Sequence, residues 1–541
     1  MRSSARLVLG LVALAVVFGV LSWFAAGQEL AESQVLVVGS PDNAITGLDP
    51  ATFLNTSAVE MARCMYSSLL RIAPGEAAAP DTVEGDLAES WEISSDGTVW
   101  TFALRRGVQF HGGYGELTSE DVKYSIERAI ALESPYAGDF AGILSIETPD
   151  DYTVRIVLSA PDAFFAMKLA NLRSSFIVSK TAVETLGDGG FGAAPIGTGP
   201  FAFESWTPNE KVVLVRNPDY FRGSPILERI EFLFMGDVNT RILAIKNGDI
   251  HCTNSGLDNE EAVSELRDAG IIVDVKGFES PVTLHLNMTV PPFDNPTVRK
   301  ALAYAINKQD FVDFYGPSLC EIQHSFIPPT IFGGIVDGLN LYEYNPERAR
   351  NLLAHAGYPS GFAVGEVIVT ERELYRIPLE IVQANWAQVG VTMDIKVIAH
   401  SEFHAQIRQD LSAVIPYAGA RATPDMYLTE FLYGPSIVGK DTAKTNFSHY
   451  GEVDADGDGL VDTIDDLIEL ARVETDTEKA KILYAMAQVK LNEHLPVIPL
   501  RLTGWVQARS PLLDLGHGVY QSAANFWGYL YTENTRLLKE E

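Results

Sequence analysis

An α/β protein of two or three domains is the fold class that the sequence predicts, on three observations. Strand and helix patterns alternate from one end of the chain to the other. The helices carry their own start and stop residues. At 541 residues the chain is several times the length of an ordinary domain, and 47% hydrophobic content with 10% aromatics can fill more than one core. No low-complexity tract or short repeat interrupts it.

Residues 34–40, QVLVVGS, read as a short apolar strand, and Asn55 to Arg71 as a helix with Val59, Met61, Ala62, Met65 and Leu69 on its stripe. TVWTFALRR (98–106) alternates as a strand, and glycines end it at GVQFHGG. LTSEDVKYSIERAI (117–130) opens on a Thr-Ser cap, places Glu120 and Asp121 in the first turn and repeats Val122, Ile126, Ala129 and Ile130 on one face. Two helices begin with Asn-Pro, at Asn295 and Asn345, where asparagine caps and proline occupies the first turn. RIPLEIVQANWAQVG (376–390) ends on glycine and feeds the strand VTMDIKV. Glycine and proline cluster at 187–200 and at GFESPVT (277–283), which are candidate junctions.

A net charge of −31 argues against a nucleic-acid partner, since that binding needs Lys and Arg to neutralise phosphates. Arg2 and Arg6 precede an apolar run from Leu7 to Ala26, and Ala25, Ala26 and Gly27 suit an export peptidase. Residues 1–27 are therefore expected to be a cleaved signal peptide, with an uncleaved anchor as the alternative. The rest is expected outside the membrane, periplasmic or on the outer face of the cytoplasmic membrane. Of three cysteines, Cys252 and Cys320 are the pair expected to join if any does, and Cys64 reads as a buried small hydrophobe.

No enzyme signature is complete. HSEFH (400–404) has Glu402 one place too late for a His-Glu-x-x-His zinc site, though His400 and His404 share a helical face. GTGPF (197–201) lacks the Lys-Ser/Thr of a phosphate loop, and no Gly-x-Ser-x-Gly elbow occurs. A binding protein is expected rather than a catalyst, with a hydrolase as the remote alternative.

DADGDGLVDTID (454–465) fits a twelve-residue calcium loop. Asp454, Asp456, Asp458, Asp462 and Asp465 hold the ligand positions, Leu460 offers its carbonyl, and Gly459 makes the turn. A structural calcium ion is expected there, with a solvated acidic turn as the alternative.

Several longer stretches are similar to one known family. LAESWEISSDGTVWTFALRRGVQFHGG with LTSEDVKYSIERA, then PIGTGPFAFESWTPNEKVVLVRNPDYF, LHLNMTVPPFDNPTVRKALAYAIN, ERARNLLAHAGYP and ANWAQVGVTMDI resemble, in order, the peptide and nickel type (family 5) extracytoplasmic solute-binding proteins of ABC importers. The resemblance implies a type II periplasmic-binding-protein fold: two lobes around a ligand cleft, with an extra subdomain on the first lobe. Lobe I would take 28–283, with the subdomain at about 73–189, and the tail 500–541; lobe II would take 284–499. The crossings would fall near SPVTLHLNMT (280–289) and LPVIPLRLTGW (495–505). A monomer is expected that delivers a small solute (peptide, oligosaccharide or anion) to permease subunits and their ATPase, or alternatively to a sensor.

Peptide receptors of this family place an aspartate for the peptide amine in a segment matched here by YAGARATPDMYL (417–428). That position holds Ala420, with Arg421 beside it, which suits a carboxylate or other anion unless Arg421 simply faces solvent. Asp425 is the nearest acid. Tyr417, Tyr427, Trp505, Asn446 and Phe447 complete the expected cleft residues, each with core packing as the alternative. Arg372 and Arg376 read as exposed arginines at a helix start. Relatives have a short turn where the acidic loop stands, so the loop reads as an insertion in lobe II.

Overall fold

The structure, a computed structural model, describes residues 29–540 apart from 53–55, 77, 133, 135–136, 141, 172–173, 255–256, 258–259, 422, 440–444 and 519–528. The expected signal or anchor, 1–27, lies outside the described residues. Among them no helix is long and apolar enough to cross a membrane.

One mixed sheet of nine strands runs through the molecule. At one end Val35–Ser40 lies parallel to Arg229–Phe234 and Cys252–Asn254. Leu36 and Val38 face a core that includes the helix Thr56–Met65, while Val37 faces the helices Val238–Asn247 and Glu260–Asp268. A strand covered on both faces is apolar at successive positions, which is why QVLVVGS does not alternate.

Two long strands, Ile272–Leu286 and Val497–Arg509, tie this end to the other. They run antiparallel from Ile272 beside Arg509 to His285 beside Val497. Cys252–Asn254 flanks 507–509, and Val414–Ala418 flanks 282–286. Register slips between Lys276 and Ser280, and again between Val282 and Thr283, so the strand bends where it passes from one body to the other. GFESPVT, read as a candidate junction, is thus a bulged stretch of strand.

A separate antiparallel sheet of four strands, Ala88–Ile93, Val99–Leu104, Thr153–Leu158 and Ile143–Asp150, forms a subdomain with the helix Ser119–Ala131. Phe102, Val154 and Ile156 are buried with Val122 and Ile126 of that helix. Asp121 accepts the backbone N–H and the hydroxyl of Thr118, each at 3.0 Å, which fixes the helix start that the sequence signalled.

The second body starts with the helix Pro296–Tyr304 and adds Pro346–His355. Asn295 accepts the N–H of Thr297 at 2.9 Å and Asn345 that of Arg348 at 2.8 Å. Ala363–Thr370 and Thr392–Ile398 pair in parallel across the helix Glu373–Ala387, whose buried Trp386 donates its indole N–H to the Leu302 carbonyl at 3.1 Å.

Three expectations are corrected. The helix expected over 55–71 stops at Met65, because Leu70–Ile72 pairs with Val83–Gly85 and the Ser68 N–H goes to Asp86. The first half of the 187–200 cluster lies within the helix Lys180–Ala193, which passes a kink at Gly187. Cys252 and Cys320 are both free. They sit beside Arg509 and Thr503 of one strand, six positions and roughly 20 Å apart at strand spacing, far beyond a disulfide's reach. Cys64 is buried, as expected of a small hydrophobe.

Candidate functional site

Ile272–Leu286, Val414–Ala418 and the helix Pro424–Phe431 meet beside the place where the two bodies join. Thr423 caps that helix by accepting the Met426 N–H at 3.3 Å, and Pro424 fills its first position. Aromatic rings fill the angle between the elements. Tyr417 lies 5.2 Å from Phe431 and 5.7 Å from Phe447, and Phe447 lies 5.5 Å from His285. The Tyr427 hydroxyl donates to the Glu279 carbonyl at 3.0 Å. Asn446 donates to the carbonyls of Tyr433 and Tyr450 and accepts the Ser448 hydroxyl. Tyr417, Tyr427, Asn446 and Phe447 are thus assembled in one region, all buried and packed together. Trp505 stands beside Lys276, and its side chain lies outside the described residues.

Arg421 does not present a free cation. Its Nη2 donates to Glu430 Oε1 at 2.6 Å, its Nε donates to Oε2, and the guanidinium lies 4.9 Å over the Phe431 ring. Nη1 donates to the Ala420 carbonyl at 2.9 Å. Asp425 is likewise engaged, accepting from Arg472 at 3.1 Å.

Segment 161–168 of the four-stranded subdomain rests on the second body. Phe164 lies 5.4 Å from Phe332 and 5.9 Å from Tyr484, and the Ala163 N–H donates to the Arg472 carbonyl at 3.3 Å. Burial opposes the charge of Lys168, but Asp162 at 2.6 Å, Asp425 and Asp139 outweigh it and hold the ammonium above its ordinary range. Carboxylates from both bodies therefore act on one lysine.

Glu279 is a residue that sequence reasoning missed. It is 2% exposed, and its Oε2 has no hydrogen-bond donor. Burial pushes its carboxyl well above the usual carboxylate range. A lone acid within GFESPVT was the available signal, but its burial depends on a bulge that pairing with a distant strand creates.

In the acidic loop Asp454 accepts the N–H groups of Gly457, Asp458 and Gly459 at 2.6, 3.2 and 2.8 Å, and these, that of Gly459 first, hold its carboxyl below the usual carboxylate range. Asp454, Asp456 and Asp458 bring carboxylate oxygens within 4.8 Å of one another. Asp462 meets Asp456 and His494 in a second group, which the sequence reading did not include, and Lys490 approaches it at 3.0 Å. Leu460 is exposed in the same turn. Asp465 lies apart, accepting the Gly434 N–H at 3.0 Å. Three clustered carboxylates with Asp462 alongside supply the hard oxygen donors that calcium takes.

Arg376 pairs with Glu380 at 2.7 Å, and Arg372 is exposed at the start of the same helix. The rings of His400 and His404 meet edge to face, 4.7 Å apart, with no third metal-ligating side chain grouped with them among the described residues. GTGPF is structural: the Gly199 N–H donates to the Met65 carbonyl at 2.8 Å.

Two bodies that share a pair of long crossing strands make the two-lobed architecture of a type II periplasmic-binding fold. Residues 82–440 match the bacterial extracellular solute-binding proteins, family 5, and the chain belongs to that family. It is 28% identical over 506 residues to heme-binding protein A of Haemophilus influenzae, covering 85% of this chain and 88% of that protein. It is 27% identical over 494 residues to the dipeptide-binding protein of Escherichia coli, covering 85% and 87%. Among solved structures it resembles MoaA of A. tumefaciens R10 in complex with mannopinic acid, at 33% identity and TM-score 0.78 over 94% of this chain and all of that one. It also resembles the ABC transporter-associated DppA of Helicobacter pylori in complex with the peptide STSA, at 27% identity and TM-score 0.74 over 93% and 98%.

Proposed function

We propose that this chain encloses a small peptide-like solute between its lobes and passes it to the permease subunits of an ABC importer. The pairing of Arg421 with Glu430 carries the choice of solute. It neutralises the cation that would have favoured an anion, and relatives across most of the chain's length are named for dipeptides and tripeptides. The lobes divide near 283 and 500, and closing them strips water from the solute, which then exchanges its hydrogen bonds for those of the protein. Calorimetric titration of residues 28–541 with dipeptides and tripeptides tests this; one-to-one binding is expected, and absence of binding across the panel would refute the peptide reading.

The exported, monomeric state and the signal at 1–27 are parts of the same proposal, checked by the N-terminal sequence and mass of the secreted protein. The acidic loop, in this reading, is a calcium clip that braces the second lobe rather than a part of the cleft. Asp454, Asp456 and Asp458 would hold the ion, with Asp462 beside them.

A further inference from the structure

We infer that Glu279 is the anchor for a positively charged group of the solute, a primary ammonium, and that it stands in for the acid missing at Ala420. This rests on the receptor reading above and names the chemistry that the receptor selects.

The geometry begins at the bulge. Phe278 lies against the Gly504 position, where an added Cβ would stand 3.1 Å from its ring, on the side of Val275. The next residue, Glu279, lies in the same bulge, between Lys276 and Ser280. There its own carbonyl is held by the Tyr427 hydroxyl, so the residue is fixed between the crossing strand and the helix Pro424–Phe431. Its neighbour Phe278 is held as well, its carbonyl accepting from the Thr330 hydroxyl at 3.3 Å. The carboxylate is thus on a rigid strand at the join of the lobes, where closure removes water.

What it lacks is a partner. Among the described residues no ion pair includes Glu279, and Oε2 meets no donor. Three cations of the region are committed to other carboxylates: Arg421 to Glu430, Arg472 to Asp425, and Lys168 to Asp162. A buried ionised carboxylate without a counter-charge is among the least favourable arrangements in a protein interior, and a buried acid that stays protonated is a donor in need of an acceptor. A compact ammonium with three donors answers the charge and the hydrogen bonding together. Because the acid is on a crossing strand, closing the lobes over a cation is favoured and closing them over a neutral group is not.

The test uses residues 28–541 with trialanine, N-acetyl-trialanine and spermidine as probes, followed by thermal shift and calorimetry. Wild type should bind the free amines at least tenfold more tightly than the acetylated peptide. Glu279→Gln should weaken the free amines by about tenfold or more and close that gap. Glu279→Asp, which keeps the charge, should retain the preference with lower affinity, so a misfolded glutamine variant does not leave the matter open. Equal binding of acetylated and free peptide by wild type, or full discrimination by a folded Glu279→Gln protein, would overturn the inference. Binding of acetylated peptide alone would also overturn it while leaving the peptide receptor intact. Binding of spermidine but of neither peptide, lost in Glu279→Gln, would support Glu279 and refute the peptide reading. Binding of no amine-bearing probe would overturn the inference.

Discussion

Arg421 and Glu430 close a two-pronged ion pair, Nη2 to Oε1 at 2.6 Å, with the guanidinium 4.9 Å above the ring of Phe431. The pair ties Arg421 to the last turn of the helix Pro424–Phe431, and it is mostly screened from water, with side-chain exposures of 16% and 35%. Glu430→Gln should lower stability by about 1–2 kcal/mol in urea unfolding, a figure kept small because Glu430 is one-third exposed. The same substitution frees a cation beside the cleft. Affinity for a succinylated peptide should rise relative to the free-amine form; unchanged stability and unchanged selectivity would show the pair to be incidental.

Gly199 approaches the end of the helix Thr56–Met65 so closely that an added Cβ would stand 2.5 Å from the Met65 carbonyl carbon and 2.6 Å from the Cys64 oxygen. Backbone cannot step aside as a flexible side chain can. Gly199→Ala should cost at least about 2 kcal/mol, seen as a lower urea midpoint at unchanged slope. A substitution within a few tenths of a kcal/mol of wild type would mean that the turn has room to shift.

His449 donates its Nε2–H to Asp410 Oδ2 at 3.0 Å, and that bond, helped by Glu452 and opposed by burial, raises the imidazole above its ordinary value of about 6.5. The folded state therefore holds the proton more tightly than the unfolded chain. Its stabilisation is fully present below about pH 6.5 and is lost as pH rises through the folded value. Asp410→Asn should destabilise the protein more at pH 6 than at pH 9; the part that persists at pH 9 belongs to the bond from Asn287 to Asp410 at 2.9 Å. A loss independent of pH would remove His449 from the explanation.

Local signals were legible, and pairings were not. Asn295 and Asn345 cap helices as their Asn-Pro dipeptides indicate, because a cap is settled within three or four residues. The family, and through it the two-lobed fold, was legible from stretches spread over the chain. Glu430 as the partner of Arg421 was not, since a nine-residue separation across a loop and a helix carries no periodic mark. The separation of Cys252 from Cys320 follows from where each borders the strand Val497–Arg509, a relation between segments hundreds of residues apart. Asp465 fits the spacing of a calcium loop, yet the helix it opens turns it toward Gly434. Glu279 is buried by strand pairing and by the fold around it, which composition does not reveal.

Calcium should raise the melting temperature of the protein, by a margin that grows with the logarithm of its concentration once that exceeds the dissociation constant. Asp454→Ala should abolish the rise, since Asp454 also organises the turn through three backbone N–H groups. Magnesium should substitute poorly, because it demands a smaller, more regular shell. No calcium-dependent shift in the wild-type protein would identify the loop as a solvated turn.

The most direct measurement is calorimetric titration of residues 28–541 with a panel of dipeptides and tripeptides, the recovered peptide being analysed for cleavage. One-to-one binding with every peptide recovered intact is expected of a receptor that only encloses its solute. Turnover of a peptide, or failure of all of them to bind while a different class of solute does, would contradict it.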